Sequence, residues 1–347
     1  MLQRARLFPL AAILSVVAVA NARETTNGAL TDVPGIRVGH YTLSERPTGC
    51  TVVIADPPAV GAVDVRGGAP GTRETNLLDP VNTVERVNAI VLAGGSAFGL
   101  DAASGTVKWL EEHGAGFETS VVRVPIVPAA ILFDLGLGDP HVRPSADCGY
   151  RAAAASRSGP IAEGSVGAGA GATVGKLMGM ARAMKSGIGT ASISTTSGLV
   201  VAALAAVNSV GDVIDPATGQ VIAGIRTSDG RGLADARQVL RANAGVVGTA
   251  GENTTLVVVA TNAALTKAQA TKVAQMAQDG LARAIAPVHT PFDGDTVFVL
   301  ATAGRTPKDD VLTVGAMAAD VTALVITRAV REATAAGGVP ALRDLPH

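Results

Sequence analysis

Within the ten residues from Gly251 to Ala260, GENTTLVVVA, the chain passes from a polar, glycine-bearing stretch into an unbroken apolar run. A short apolar, β-branched run with no polar alternation marks a strand covered on both faces. Such a strand needs packing above and below it, and the rest of the chain supplies the material. NAIVLAGG over 88–95 reads as a second buried strand, and DTVFVLAT, from Asp295, as a third. Helical patterns alternate with these strands. AFGLDAASGTVKWLEEHG reads as one helix closing at Gly114. A better-signed helix follows Thr266, where Gln269 completes a capping box. In it Val273, Met276, Ala277, Leu281 and Ala284 recur at helical spacing until Pro287. A long Ala/Val helix is expected over DDVLTVGAMAADVTALVITRAVREATAA. Strands and helices mixed from start to finish predict an α/β layered fold with a buried sheet.

Packing between such layers has to be close. Of 347 residues 48% are apolar but only 3% aromatic, and 41 are glycine, so the core is built from Ala, Val, Ile and Leu around many tight turns. The formal charge of −1 argues against a nucleic-acid or anionic-membrane partner. At the N-terminus, basic MLQRAR precedes the apolar LFPLAAILSVVAVA and a small-residue pattern, Ala20-Asn21-Ala22. This is the layout of a secretory signal peptide over 1–22, removed after Ala22, with a secreted or periplasmic mature protein over 23–347. The apolar run falls short of the roughly 18–20 residues that a spanning helix needs, so no membrane association is expected after signal removal. Cys50 and Cys148 could pair in an oxidising compartment, but two cysteines make no disulfide framework, and they are read as small buried hydrophobes.

Residues 225–251, IRTSDGRGLADARQVLRANAGVVGTAG, are polar, charged and rich in glycine, and read as a surface linker meeting a buried strand. Such a junction is a natural place for a chain to be cut. If the cut falls between Asn253 and Thr254, the threonine carries its hydroxyl and a free amine on one residue. An α-amine titrates at about 7.7–8.0, which suits a general base at neutral pH. The conventional alternatives lack parts. AGATVGKL over 170–177 has Ala170 and Leu177 where a phosphate-binding loop needs Gly and Ser or Thr. GGSAFG has Phe98 where a nucleophile elbow closes with glycine, and Ser96 is read as a helix-starting residue. Of five histidines only His289 lies near other polar chemistry, and no pair has metal-ligand spacing. Asp293 and Asp295, in FDGDTVF, stand just before a strand, where alternation puts both on one side; they could orient Thr254 and hold a proton between them. Asn208, in VNSVGDVID, ends an alanine-rich strand and could stabilise an oxyanion.

RGGAPGTRET, AIVLAGGSAFGLDAASG, PIVPAAILFDLGLGD, GSVGAGAGATVGK, NTTLVVVATNA and HTPFDGDTVF occur in that order. Together they resemble the DmpA / β-peptidyl aminopeptidase family, which includes the nylon-oligomer hydrolases, over roughly residues 30–335. The resemblance implies a four-layer αββα sandwich similar to N-terminal-nucleophile hydrolases. It also implies autocleavage into 23–253 and 254–347, with the processed pairs assembling into a homo-oligomer. Thr254 becomes the nucleophile, Asn208 serves the oxyanion hole, and Lys176, Asp293 and Asp295 position and tune Thr254. Phe133 stands where some members carry a tyrosine donor, leaving the hole to Asn208 and a backbone N–H. The expected substrate is a small peptide, amide or ester cleaved at its N-terminal amide bond, the alternatives being internal or synthetic amides or a non-catalytic periplasmic protein. No metal or organic cofactor is expected.

Overall fold

The computed structural model describes residues 23–25, 28–242, 245, 251–304 and 310–346; the expected signal peptide lies outside them. Eight strands carry the architecture. They are β1 (Ile36–Thr42), β2 (Gly49–Val65), β3 (Arg86–Ala93), β4 (Ala129–Ile131), β5 (Ile188–Ser194), β6 (Val200–Asn208), β7 (Thr254–Thr261) and β8 (Thr296–Ala301). The helices are α1 (Ala102–Glu112), α2 (Ala146–Ala154), the short α3 (Ala236–Arg241), α4 (Lys267–Ala284) and α5 (Val311–Arg331).

The sheet runs from Arg23–Thr25 through β5, β6, β7, β8, β2, β3 and β4 to Thr72–Arg73, with β1 also on β2. Strands β7 and β8 are parallel, as are β3 and β4; the other pairs are antiparallel. Strand β2 is the pivot. Its first half pairs with β1 and β3, its second half with β8, and the register breaks between Ile54 and Ala59 around Asp56-Pro57-Pro58. Proline supplies no ladder N–H, so the pairing must lapse there and the strand can bend.

Alternation shows that the bend makes two layers. Leu256, Val258 and Ala260 of β7 share a cluster with Leu204 of β6 and Phe298 of β8, and also with Val53, Ile90, Leu92 and Ala130 of the other layer. Their neighbours Val257 and Val259 face the opposite way, against Val273, Leu281, Val321 and Val325 of α4 and α5. In the second layer Val52, Ile54, Ala89 and Val91 face Ala102, Trp109 and Ala152 of α1 and α2. The result is the αββα sandwich, and the apolar run of β7 lacks alternation because both its faces are buried.

Several expectations are revised locally. The first helix is 3-10 over Ser96–Asp101 and α-helical only from Ala102, closing as expected at Gly114, whose φ of 69° suits glycine. Thr266 and Gln269 form their capping box. Helix α5 ends at Arg331, before the expected ATAA segment; long and apolar enough to cross a bilayer, it packs into the sandwich instead. Cys50 and Cys148 do not stay free: they form a disulfide joining β2 to α2. The stretch from 225 is not wholly a surface linker. Ile225 and Ala236 are buried, and their N–H groups donate to the Asp212 carboxylate at 2.8 and 2.7 Å.

Candidate active site

Strand β7 begins at Thr254, directly opposite Asn208, the last residue of β6. On its other side Asn253 bridges to Asp293 in parallel, just before β8. Strand ends from three parts of the sequence therefore converge on one bond. That bond is not at the surface: Asn253 is 1% exposed and Thr254 2%. Exposed loop tips are the usual sites of cutting by another protease, and this bond is not one of them.

The Thr254 hydroxyl donates to the carbonyl oxygen of Asn253 in a short hydrogen bond. The Gly294 N–H donates to the same oxygen at 2.8 Å. A hydroxyl and a backbone donor are thus both on the carbonyl preceding Thr254. Position 294 has to be glycine, because a Cβ there would lie 2.7 Å from Ala69 O and 2.9 Å from Thr254 Oγ1. Gly67 is similarly constrained, since its Cβ would stand 2.3 Å from Asp295 N. That contact explains why RGGAPG belongs to the site: Arg66 N–H and Ala69 N–H clasp the 293–295 backbone at 3.0 and 2.8 Å.

Both aspartates are buried, and each is bound to different donors. Asp293 accepts from Val210 N–H at 3.2 Å and from the Thr290 hydroxyl. Asp295 accepts from Thr255 N–H at 2.7 Å and, on its other oxygen, from His289 N–H at 3.0 Å and the His289 ring Nδ1 at 2.9 Å. They communicate through charge: burial first, then the Asp295 charge, pushes Asp293 up to about 6. His289 and Thr290 are functional neighbours whose roles the sequence did not disclose, although both lie within HTPFDGD.

Asn208 is equally well fixed. Its Oδ1 accepts from Thr173 N–H at 3.0 Å, so its Nδ2 must point the other way, to Phe133 O at 2.9 Å and Glu252 O at 3.4 Å. The side-chain amide therefore sits one residue before the Asn253 carbonyl, and Gly294 N–H supplies the donor on that carbonyl. Lys176 also reaches Glu252 O, at 3.1 Å, while holding Asn208 O at 2.9 Å. Burial lowers the Lys176 ammonium to about 7, with the Asp293 charge the largest opposing influence. Behind them Lys185, fully buried, donates to Ala172 O at 2.6 Å and Ser186 O at 2.8 Å. It thereby anchors the loop whose Thr173 orients Asn208. The discarded phosphate-loop look-alike is thus the support of Asn208 and Lys176.

On the acyl side of the 253–254 bond lies a cavity of about 370 Å³. Phe133, Leu135, Leu137, Pro140 and Met180 give it apolar walls, and Lys176, Thr173 and Asn253 stand at its base. Asp134 also lines it, but that carboxylate is held by Arg46, the Thr48 hydroxyl at 2.6 Å and Gly95 N–H at 2.8 Å.

The architecture and the converging strand ends define a hydrolase of the N-terminal-nucleophile fold class. Residues 28–342 match peptidase family S58, and the chain belongs to that family. It is 45% identical to an uncharacterized aminopeptidase of Mycobacterium tuberculosis, across 91% of this chain and 97% of that one. A 6-aminohexanoate-oligomer endohydrolase of Kocuria sp. is 30% identical, with 78% of this chain and 74% of that protein covered. Among solved structures, a Burkholderia sp. beta-aminopeptidase superposes with a TM-score of 0.69 at 25% identity, covering 93% of this chain and 92% of that one. The L-aminopeptidase D-Ala-esterase/amidase of Ochrobactrum anthropi, described as a variant of the Ntn-hydrolase fold, superposes at 0.67 with 19% identity, over 92% and 90%.

Proposed function

We propose that the chain cuts itself between Asn253 and Thr254 and then hydrolyses small amides through the new N-terminal threonine. The observation carrying this reading is the buried Thr254 hydroxyl on the Asn253 carbonyl, with Gly294 N–H on the same oxygen. The hydroxyl oxygen attacks that carbonyl carbon, and Gly294 N–H meets the charge that develops on oxygen. Collapse breaks the C–N bond, the hydroxyl proton passing to the Thr254 nitrogen, and leaves Asn253 as an ester on Thr254, which water hydrolyses to an Asn253 carboxylate and a free Thr254 amine. That amine then serves as base for each substrate turnover, taking the hydroxyl proton and returning it to the leaving amine. Departure of the Asn253 end frees Lys176 and the Asn208 amide from Glu252 O, making both available to the substrate's acyl group.

The test is an intact-mass measurement. Wild type is expected to give fragments divided at 253/254, and Thr254→Ala to remain one chain. A wild type that stays whole after prolonged incubation overturns the mechanism.

The kinship with proteins called aminopeptidases favours substrates with a free N-terminal amine. A second reading, an amidase of internal or N-blocked amides like its endohydrolase relatives, is favoured by one observation. Asp134, which lines the acyl-side cavity, is already committed to Arg46, leaving it unavailable to a substrate ammonium. Aminoacyl anilides assayed beside their N-acetyl counterparts separate the two; turnover of the blocked series alone removes the aminopeptidase reading. Export is part of the proposal, and the Cys50–Cys148 disulfide supports it, since such bonds persist in oxidising compartments. Assembly of the processed pairs into a homo-oligomer belongs to the same proposal.

A further inference from the structure

Away from Thr254, a second cavity of about 570 Å³ opens on the outer face of the β1–β4 layer. It lies between the Ile54–Pro58 bend of β2, the start of β1, the C-terminal end of α1 and Arg123, which belongs to a short hairpin of Phe117–Glu118 with Arg123–Val124. None of the candidate active-site residues lines it.

Its polar lining is dominated by free donors. The Arg37 guanidinium has no hydrogen-bond or ion-pair partner among the described residues; its Nε is buried, and its neighbour is the Trp109 ring, 5.9 Å from the centroid. Asn88 commits Oδ1 to Ile126 N–H at 3.0 Å, which fixes the amide orientation and leaves its Nδ2 hydrogens without a partner among the described residues. The indole N–H of Trp109 is likewise unpartnered there. A helix C-terminus would ordinarily repel an anion, but the nearby carbonyls are already satisfied. Trp109 O accepts from His113 Nδ1 at 2.7 Å, Gly114 O from Arg123 at 3.0 Å, and Leu110 O from the N–H groups of His113 and Ala115. Asp56 is the one acid in the lining; it is solvent-exposed, and Arg37 and Arg123 outnumber it.

Unpaired donors grouped around a cation, beside an aromatic wall, are the complement of a planar anion on an apolar body. We propose that this cavity binds small organic carboxylates, with the carboxylate on Arg37 and Asn88 and the body against Trp109, Ile54 and Leu110. An amide hydrolase releases a carboxylic acid at each turnover, so its products fall in this ligand class. The site itself rests on the cavity alone and stands whether or not Thr254 is the nucleophile.

Calorimetric titration of the full chain with benzoate, and with benzamide as its neutral isostere, tests this. Benzoate is expected to bind once per chain, as well to Thr254→Ala as to wild type, and benzamide and the Arg37→Gln variant are each expected to lose about tenfold or more in affinity. Should Arg37→Gln fail to fold, Arg37→Lys keeps the charge but not the fork and is expected to bind measurably more weakly. Equal affinity for benzamide, an Arg37 variant that binds like wild type, or no saturable binding up to about 10 mM overturns the proposal. So does loss of the titration in Lys176→Met, which would place the ligand in the Thr254 cavity.

Discussion

Lys176 and Asp293 carry opposite charge together only in a narrow interval. Burial holds Lys176 down to about 7, so its ammonium is charged below that pH. Burial and the Asp295 charge hold Asp293 up to about 6, so its carboxylate is charged above it. Self-processing is therefore expected to follow a bell between these two values, measured as the rate of appearance of the fragment beginning at Thr254. Lys176→Arg, which cannot deprotonate, should lose the alkaline limb, and Asp293→Asn the acid limb. A profile unchanged by both substitutions would separate these groups from the reaction. The same shifts set opposing trends in stability. Native Lys176 sheds its proton near 7 while the unfolded chain keeps it to 10.5, so this residue's penalty eases across that range as pH rises. Native Asp293 stays protonated to about 6 while the unfolded group ionises at 3.8, so its contribution falls across that window as pH rises. Thr254 and the two aspartates were legible as candidates in the sequence because a polar cluster beside a strand is unusual. The Gly294 N–H and the His289 clasp on Asp295 were not, because both depend on where the chain turns.

Helices α4 and α5 show how glycine sets the distance between elements. A Cβ on Gly280 would lie 2.4 Å from the backbone oxygen of Ala319, whereas one on Gly315 would meet the side chain of Met276, 2.2 Å from its sulfur. Replacing a helical glycine by alanine gains about 1 kcal/mol in propensity. At 315 the half-buried methionine can swing aside, so Gly315→Ala is expected to be close to neutral. At 280 a carbonyl cannot, and overpacking of about 1–3 kcal/mol exceeds the gain. Denaturant unfolding of the two variants should rank them in that order; the reverse order would mean the helices are free to slide. Element identity was well encoded here: the capping box at Thr266 and the period of α4 placed that helix. The 3-10 segment ahead of α1 was not visible, because Ser96–Asp101 is helical in pattern and the sequence does not record which hydrogen-bond spacing it takes.

At the scale of the molecule, the disulfide ties the outer helical layer to the sandwich across 98 residues of sequence. Closing a loop of that size removes much of the freedom of the unfolded chain, and Cys148→Ala is expected to lower stability by about 2–4 kcal/mol. Thermal scans with and without reductant should show the same loss in wild type and none in the variant. Processing at 253/254 is expected to continue in both, because the bond belongs to the outer core, a cluster that contains none of the Thr254 site residues. Periodicity and composition alone determined that this chain forms buried strands and amphipathic helices in layers, since burying apolar faces is a local demand that each segment expresses. The ordered motifs tied those layers to a known family. Only the tertiary structure decided that β2 bends to serve both layers, that the 253–254 bond is buried, and that Gly294 and Thr254 meet on one carbonyl. Those outcomes depend on contacts between residues far apart in sequence, and no local pattern records which distant backbone group will fill a given space.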